Sequence, residues 1–224
     1  MATLIYTGLT LVTVNLFGLG FALMVTSDGL KGRNAARALL FMPYLIGGLI
    51  LGFIWKYIFD NVVVDIAKLL SIESLSKSLR TDNARTAMLS LVITDTWKMA
   101  GYVMIVYITG LQAIPDDILE AADVDGVNFW QKLVRIKLPL LMPAITICLF
   151  MTLSDSFKVY DLNLALTGGG PSMSTQMLAM NIYNEIFTRS RYGFGQAKAF
   201  LFFISIAVFT LTQVSLTRRR EVVM

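Results

Sequence analysis

The 224-residue chain is 56% hydrophobic and 15% charged, with a mean hydropathy of +0.67, too apolar for a soluble domain; its net charge of +4 speaks of loop placement rather than of a nucleic-acid footprint. The absence of histidine excludes His-based acid–base chemistry, Ser-His-Asp triads and His metal ligation, no metal site is expected, and the single cysteine, Cys148, permits no intrachain disulfide. No GxxxxGK(S/T) occurs, so the chain does not hydrolyse ATP by that route, and any work it does needs a partner or an ion gradient.

Thr3 to Thr26 is an uncharged run long enough to span a bilayer, with Gly8, Gly18 and Gly20 as flat surfaces for a neighbouring helix. Lys31, Arg33 and Arg37 form a basic loop. A second span is expected over about 38–57, containing Pro43, Gly47, Gly48 and Gly52 and closed by an aromatic belt at Trp55 and Tyr57. Between 61 and 85, Val62, Val63, Ile66, Leu69 and Leu70 recur at helical spacing and predict an amphipathic segment. The third span, about 86–110, carries Asp95 and Lys98, which share a helix face and can neutralise each other. Charges at such a depth face a polar cavity or a partner, or else they are solvated at the outer interface.

A polar stretch at 111–138 follows. Pro115 fits a first helical position. Asp116, Asp117 and Glu120 favour the positive end of a helix dipole. Gly126 can end that helix in the left-handed conformation. Asn128 and Gln131 have capping-box spacing for a second start, and Pro139 opens the next helix. A span over about 139–157 ends in Asp155 and Lys158, again three apart, then Tyr160 and Asp161. Residues 162–184 are uncharged, but Gly168, Gly169, Gly170 and Pro171 would orphan backbone groups in lipid. They predict a turn, followed by a short helix from about Ser174 to Phe187 capped by Ser172 or Ser174. The last span, about 198–217, is closed by Arg218, Arg219 and Arg220. The chain is therefore an all-α polytopic membrane protein, one domain over 1–224 with about five spans. With the 111–138 loop inside, nine basic residues fall in cytoplasmic segments and six in longer outer loops.

Glu120-Ala121-Ala122, then Asp125-Gly126, Ile136 and Leu138-Pro139 at this spacing resemble the EAA loop of ATP-binding-cassette importer permeases. The resemblance implies the type I (MetI-like) transmembrane fold, with the loop as a cytoplasmic coupling helix on a separate ATP-binding subunit. Phe157-Lys158-Val159-Tyr160-Asp161, Leu166-Thr167-Gly168-Gly169-Gly170-Pro171 and Thr175 are similar to the carbohydrate-uptake branch, the maltose and glycerol-phosphate type. So are Trp97-Lys98 before Gly101-Tyr102, Ile182-Tyr183 with Phe187, and Phe194-Gly195-Gln196-Ala197. That branch implies a multi-pass plasma-membrane permease, not an enzyme and without a cofactor of its own. It pairs with a second permease and receives sugar from an extracytoplasmic binding protein facing the Gly168–Pro171 turn. Such permeases have six or more spans, so the expectation is that the sequence begins late, a five-span variant being the alternative.

A sugar has no charge to steer, so its path needs polar groups matched to hydroxyls, and aromatic faces. The candidates are Asp95, Lys98, Asp155, Lys158, Tyr160, Asp161 and Asn163. Each can equally be structural, since a self-neutralising pair can simply pin helix register. A secondary transporter driven by an ion gradient, with Asp95 or Asp155 as ion site, is the alternative function, and a non-transporting membrane subunit a third; neither gives a reason for the EAA loop.

Overall fold

A backbone in lipid must satisfy its own N–H and C=O groups, and an uncharged run without proline does so as one uninterrupted helix. Residues 2–26 form α1 (Ala2–Thr26). The structure, a computed structural model, describes residues 1–27, 32–69 and 81–219; Lys31, Leu70 and Arg220 lie outside the described residues. Every regular element among those residues is helical.

The buried residues of α1 are Thr3, Tyr6, Thr7, Thr10, Val14, Gly18, Ala22 and Val25, a stripe at the spacing of one helix face. That face packs along α5 (Ala84–Gln112), the longest and most buried span, and against α8 (Met142–Phe157). Val14, Ala22, Val103, Met104, Tyr107, Leu141 and Cys148 form the common core. Of the three glycines expected to admit a neighbour, only Gly18 does, because a Cβ there would lie 2.7 Å from Val103 Cγ1, whereas Gly8 and Gly20 face open space. The Tyr107 hydroxyl donates to Asn15 Oδ1 at 2.8 Å, and Thr13 and Thr96 share a 2.7 Å hydrogen bond, so polar ties across α1 and α5 supplement packing.

The expected span at 38–57 is not one helix. The chain runs as α2 (Arg33–Phe41), a 3-10 turn at Met42–Leu45 and α3 (Gly48–Tyr57), the two halves bent by 97°. Pro43 cannot donate to the ladder, and Gly47-Gly48 leaves the backbone free to turn, so the break has a local cause. The bend is seated on α5, where a Cβ on Gly101 would fall 1.9 Å from the Leu40 carbonyl oxygen. Beyond it, α3 packs on the short α9 (Asp161–Leu166), with Gly52 against Ala165. A π turn at Ile58–Val62 leads into α4 (Val63–Leu69), part of the amphipathic segment expected there.

The 111–138 stretch holds α6 (Asp116–Val124) and, over Phe129–Leu140, α7, whose middle is π-helical at Lys132–Lys137. A bend of 71° separates α7 from α8. After α9 the chain turns at Gly168–Pro171 and forms α10 (Leu178–Tyr183), continued by a π turn to Thr188, and then α11 (Tyr192–Arg218). The helix expected from Ser174 starts instead at Leu178, and neither Ser172 nor Ser174 caps it. Thr3 Oγ1, from α1, accepts the Leu178 N–H at 3.0 Å. Among the described residues three helices, α1, α5 and α11, are long and apolar enough to cross a membrane, and the two bent pairs bring this to as many as five crossings.

Candidate functional site

Six of the seven polar residues singled out for a substrate path surround one hollow of about 310 Å³: Asp95, Lys98, Asp155, Lys158, Tyr160 and Asp161. Three segments bring them together: the middle of α5, the C-terminal end of α8, and the link into α9. Gly48 of α3, whose absent side chain leaves room beside Asp161 and Leu162, closes one wall. A second hollow, of about 360 Å³ between α1, the Met42–Leu45 turn and α5, is apolar, lined by Phe17, Phe21, Pro43 and Trp97 among others. None of the seven candidates reaches it.

Within the polar hollow the partners differ from those expected. Asp95 is 8% exposed and accepts a 2.7 Å hydrogen bond from the Tyr6 hydroxyl of α1; it forms no ion pair with Lys98. Tyr6 itself is fully buried among Phe59, Leu91, Leu162 and Leu166, so its hydroxyl is fixed by its ring. Asp155 and Lys158 do pair, at 3.9 Å, but both side chains are more than half exposed at the mouth of the hollow. The pair that their three-residue spacing allows is, within this chain, a solvated one, which contributes ~0–1 kcal/mol. The Tyr160 ring lies 4.9 Å from Tyr183, which in turn lies 4.8 Å from Phe187, so a short aromatic row leads away from the hollow.

Asn163 does not line the hollow. It is fully buried, and its amide donates to the Thr175 carbonyl at 2.8 Å and to Thr167 Oγ1 at 3.2 Å. The Thr175 hydroxyl donates to the Gly170 carbonyl at 2.6 Å. Asn163 thus ties down the Gly168–Pro171 turn, in which Gly168 and Gly169 take φ of +60° and +82°, a region open mainly to glycine.

The EAA stretch is built as its chemistry directs. Pro115 occupies the N-cap rather than the first helical position, and Asp116 and Asp117 fill the first turn. At the other end Gly126 takes φ of +69°, its N–H reaches the Asp123 carbonyl, and the Val127 N–H reaches that of Ala122, both at 3.1 Å. That is the Schellman closure. The Asn128–Gln131 capping box is made in both directions, and Lys132 pairs with Asp123 across the corner. Glu120, Ala121 and Asp125 are exposed, while Ile136, Leu138 and Pro139 are half-buried. Ala122 is 4% exposed. A bulky residue there would therefore clash inside this chain. Beside these exposed charges the stretch leaves three apolar side chains uncovered, Val124 at 88%, Trp130 at 70% and Phe129 at 63% exposure, the two rings edge to face at 5.6 Å.

Residues 14–222 match the family of the binding-protein-dependent transport system inner membrane component. The chain belongs to this family. It is 45% identical, over 96% of its own length and 72% of the relative's, to the probable starch degradation products transport system permease protein AmyD of Thermoanaerobacterium thermosulfurigenes. It is 32% identical, over 98% and 75%, to the trehalose/maltose transport system permease protein MalF of Thermococcus litoralis. Among solved structures, a bacterial ABC transporter involved in the import of the acidic polysaccharide alginate superposes with a TM-score of 0.85 at 24% identity, covering 97% of this chain and 77% of that one. The fold is that of an ABC importer transmembrane domain, and the chain is a multi-pass inner-membrane permease component.

Two features of this permease component escaped the sequence. Tyr6 belongs to a polar stripe, Thr3, Tyr6, Thr7 and Thr10, whose helical spacing in an uncharged span was the available signal. Phe129 and Trp130 are adjacent aromatics in a polar loop, and that contrast was legible too. At the α10–α11 corner Glu185, buried, accepts hydrogen bonds from Lys198 at 3.0 Å and Arg189 at 2.8 Å. Lys198 also donates to Asn181 at 2.8 Å, joining α10 to the start of α11. There Gly195 is required because a Cβ would come within 2.3 Å of Ile186 Cγ1.

Proposed function

We propose that this permease component forms one side of the translocation path of an ATP-driven sugar importer, with the Asp95–Asp161 hollow as its share of that path. One observation carries the reading: six polar side chains from three segments converge on a single hollow in a chain that is 56% hydrophobic. Carboxylates and ammonium groups beside a tyrosine ring suit a ligand of many hydroxyls, which needs donors, acceptors and an aromatic face. The named uptake systems of its relatives support a carbohydrate substrate.

The energy comes from a separate ATP-binding subunit, docked on the exposed Val124–Phe129–Trp130 face beside the EAA residues Glu120, Ala121 and Asp125. An apolar face flanked by charge is the composition of an interface core and its rim. The rigid Gly126 corner would pass a movement of that subunit to α5 and α8. A second permease completes the path, and the Gly168–Pro171 turn faces the extracytoplasmic sugar-binding protein. The chain itself is not an enzyme and needs no cofactor. Reconstituted with these partners in vesicles, it is expected to take up a neutral sugar only when ATP is supplied, and to continue with ionophores present. Uptake that ionophores abolish and ATP does not restore would transfer the function to a gradient-driven carrier.

A further inference from the structure

The aromatic row that starts in the hollow continues where the hollow ends. Tyr160 stands in the wall. The Tyr183 ring lies 4.9 Å from it and the Phe187 ring 4.8 Å from Tyr183, each tilted by 38° to the one before. Tyr183 is 43% and Phe187 64% exposed, although Met180, Ile182 and Glu185 on the same stretch are buried. Helical spacing explains the split, since positions four apart share a face. From behind, Glu185 holds the turn to Lys198 at 3.0 Å and to Arg189 at 2.8 Å, so the rings are set in place before any ligand arrives. Asn184 and Thr188 flank Phe187 in the chain, joined by a 3.5 Å hydrogen bond, and Arg189 and Arg191 beyond them are exposed. Hydrocarbon offers no partner to amide, hydroxyl and guanidinium groups, and the first ring of the row opens on a polar hollow rather than on lipid.

We infer that Tyr160, Tyr183 and Phe187 form a saccharide track, a second subsite in series with the hollow that holds the part of an oligosaccharide extending beyond it. This rests on the hollow being the substrate path. A sugar ring presents a C–H face on one side and hydroxyls around its rim. The aromatic rings offer apolar surface to the first, while Asn184 and Thr188 offer donors and acceptors to the second. Along the row the same contact repeats, so a chain can advance from ring to ring without losing hold. In the arrangement proposed above, α8 leads from the EAA loop to the hollow, which places the row on the side where the sugar arrives. The hollow's volume of about 310 Å³ lies at the low end of small-molecule sites, ~300–1,000 Å³. A short saccharide fills it, and only longer chains reach Tyr183 and Phe187. A sugar that covers about 40 Å² of one ring, at ~25 cal/mol per Å², binds about fivefold tighter for it.

The test uses the assembled transporter in lipid nanodiscs with the binding protein left out, so that selection by that protein does not enter. Equilibrium binding is measured for maltose, maltotriose and maltohexaose, which differ only in length. In the parent, maltohexaose should bind more tightly than maltose. Phe187→Leu keeps an apolar side chain but removes the flat face. It should weaken maltohexaose about fivefold and leave maltose within about twofold, because a disaccharide stays in the hollow. Tyr183→Leu should act in the same way, and Phe187→Tyr should keep the parental affinity at every length. A lesion that merely disturbed the hollow would weaken all three sugars alike. Unchanged maltohexaose binding in both leucine variants overturns the inference, as does an equal loss at every length. Either result leaves the hollow as the path so long as Tyr160→Ala weakens maltose. If Tyr160→Ala leaves all three sugars unchanged, or none of them binds the parent, the path lies elsewhere and the inference falls with it.

Discussion

Replacing Tyr6 by phenylalanine removes one oxygen atom from the fold and nothing else. The ring stays among Phe59, Leu91, Leu162 and Leu166, so no cavity opens and the cost is that of the 2.7 Å bond to Asp95 Oδ2 alone. A neutral hydrogen bond between membrane helices is worth ~0.6 kcal/mol on average. A bond to a charged group is worth ~1.5–3 kcal/mol, and Asp95 has no ion pair to fall back on among the described residues. Water in the hollow can reach the open side of the carboxylate but not the side sealed by Tyr6. The expected loss is therefore ~1.5–3 kcal/mol, which for a chain of this length is a fall of about 3–12 °C in unfolding midpoint. Thermal unfolding of the purified protein in one detergent would be compared for the parent, Tyr6→Phe, Asp95→Asn and the double variant. The two changes touch the same bond, so together they should cost much less than their sum. Additive losses, or a Tyr6→Phe midpoint within about 1 °C of the parent, would show that the bond does not hold α1 to α5.

Two glycines should behave oppositely. Gly101→Ala drives a Cβ into the Leu40 carbonyl at 1.9 Å and the Phe41 Cα at 3.0 Å; backbone must move, so the loss should reach the top of the ~1–3 kcal/mol range for overpacking, or exceed it, and be read as less folded protein in the membrane. A Cβ on Gly126 meets nothing within 4 Å, so Gly126→Val bears chiefly the left-handed strain, ~1–2 kcal/mol, and folded protein should persist while uptake and substrate-stimulated ATP hydrolysis by the partner collapse; equal loss of folded protein in both would contradict this contrast. The Glu185 carboxyl is held below the usual carboxylate range by its hydrogen bond from Lys198, helped by Arg189. Its contribution should be complete above the unfolded value of ~4.3 and lost as pH falls through the lower folded value; hydrogen-exchange protection at the α10–α11 corner, taken relative to the intrinsic exchange rate at each pH, should therefore fall at acid pH in the parent and lose that dependence in Glu185→Gln.

What the sequence disclosed depended on whether the deciding interactions were local. The Gly126 corner, the Asn128–Gln131 capping box and the acidic first turn of α6 involve residues within a few positions of each other, and spacing alone identifies them. The fracture at Pro43 and Gly47 was also local, but an apolar average over 38–57 conceals it. Asp161 and Asn163 were grouped as path residues, yet two positions along a helix lie on nearly opposite sides. Once α9 starts at Asp161, one must face the hollow and the other the turn. Asp95 shares a face with Lys98, as read, but the hydroxyl that reaches it comes from α1, and no spacing within one helix reveals a donor on another. The direction of Ala122 was likewise invisible, because helical periodicity gives the faces of α6 without saying which one the rest of the chain covers.

The hydrogen bond from Leu178 to Thr3 joins positions 175 apart, and this bears on how the protein is assembled and exchanged. Ribosomes deliver α1 first and α10 near the end, so the hydroxyl waits in place long before the amide it will receive exists. The first turn of α10 cannot be finished by its own neighbours, since Met177 offers no capping side chain. Its closure is a late, long-range event, contingent on α1 already standing at the right height. A chimera that borrowed α1 from another permease, with valine in place of Thr3, would preserve every apolar contact of that helix and still strand an N–H far downstream. The defect would surface in α10, where no residue had been changed.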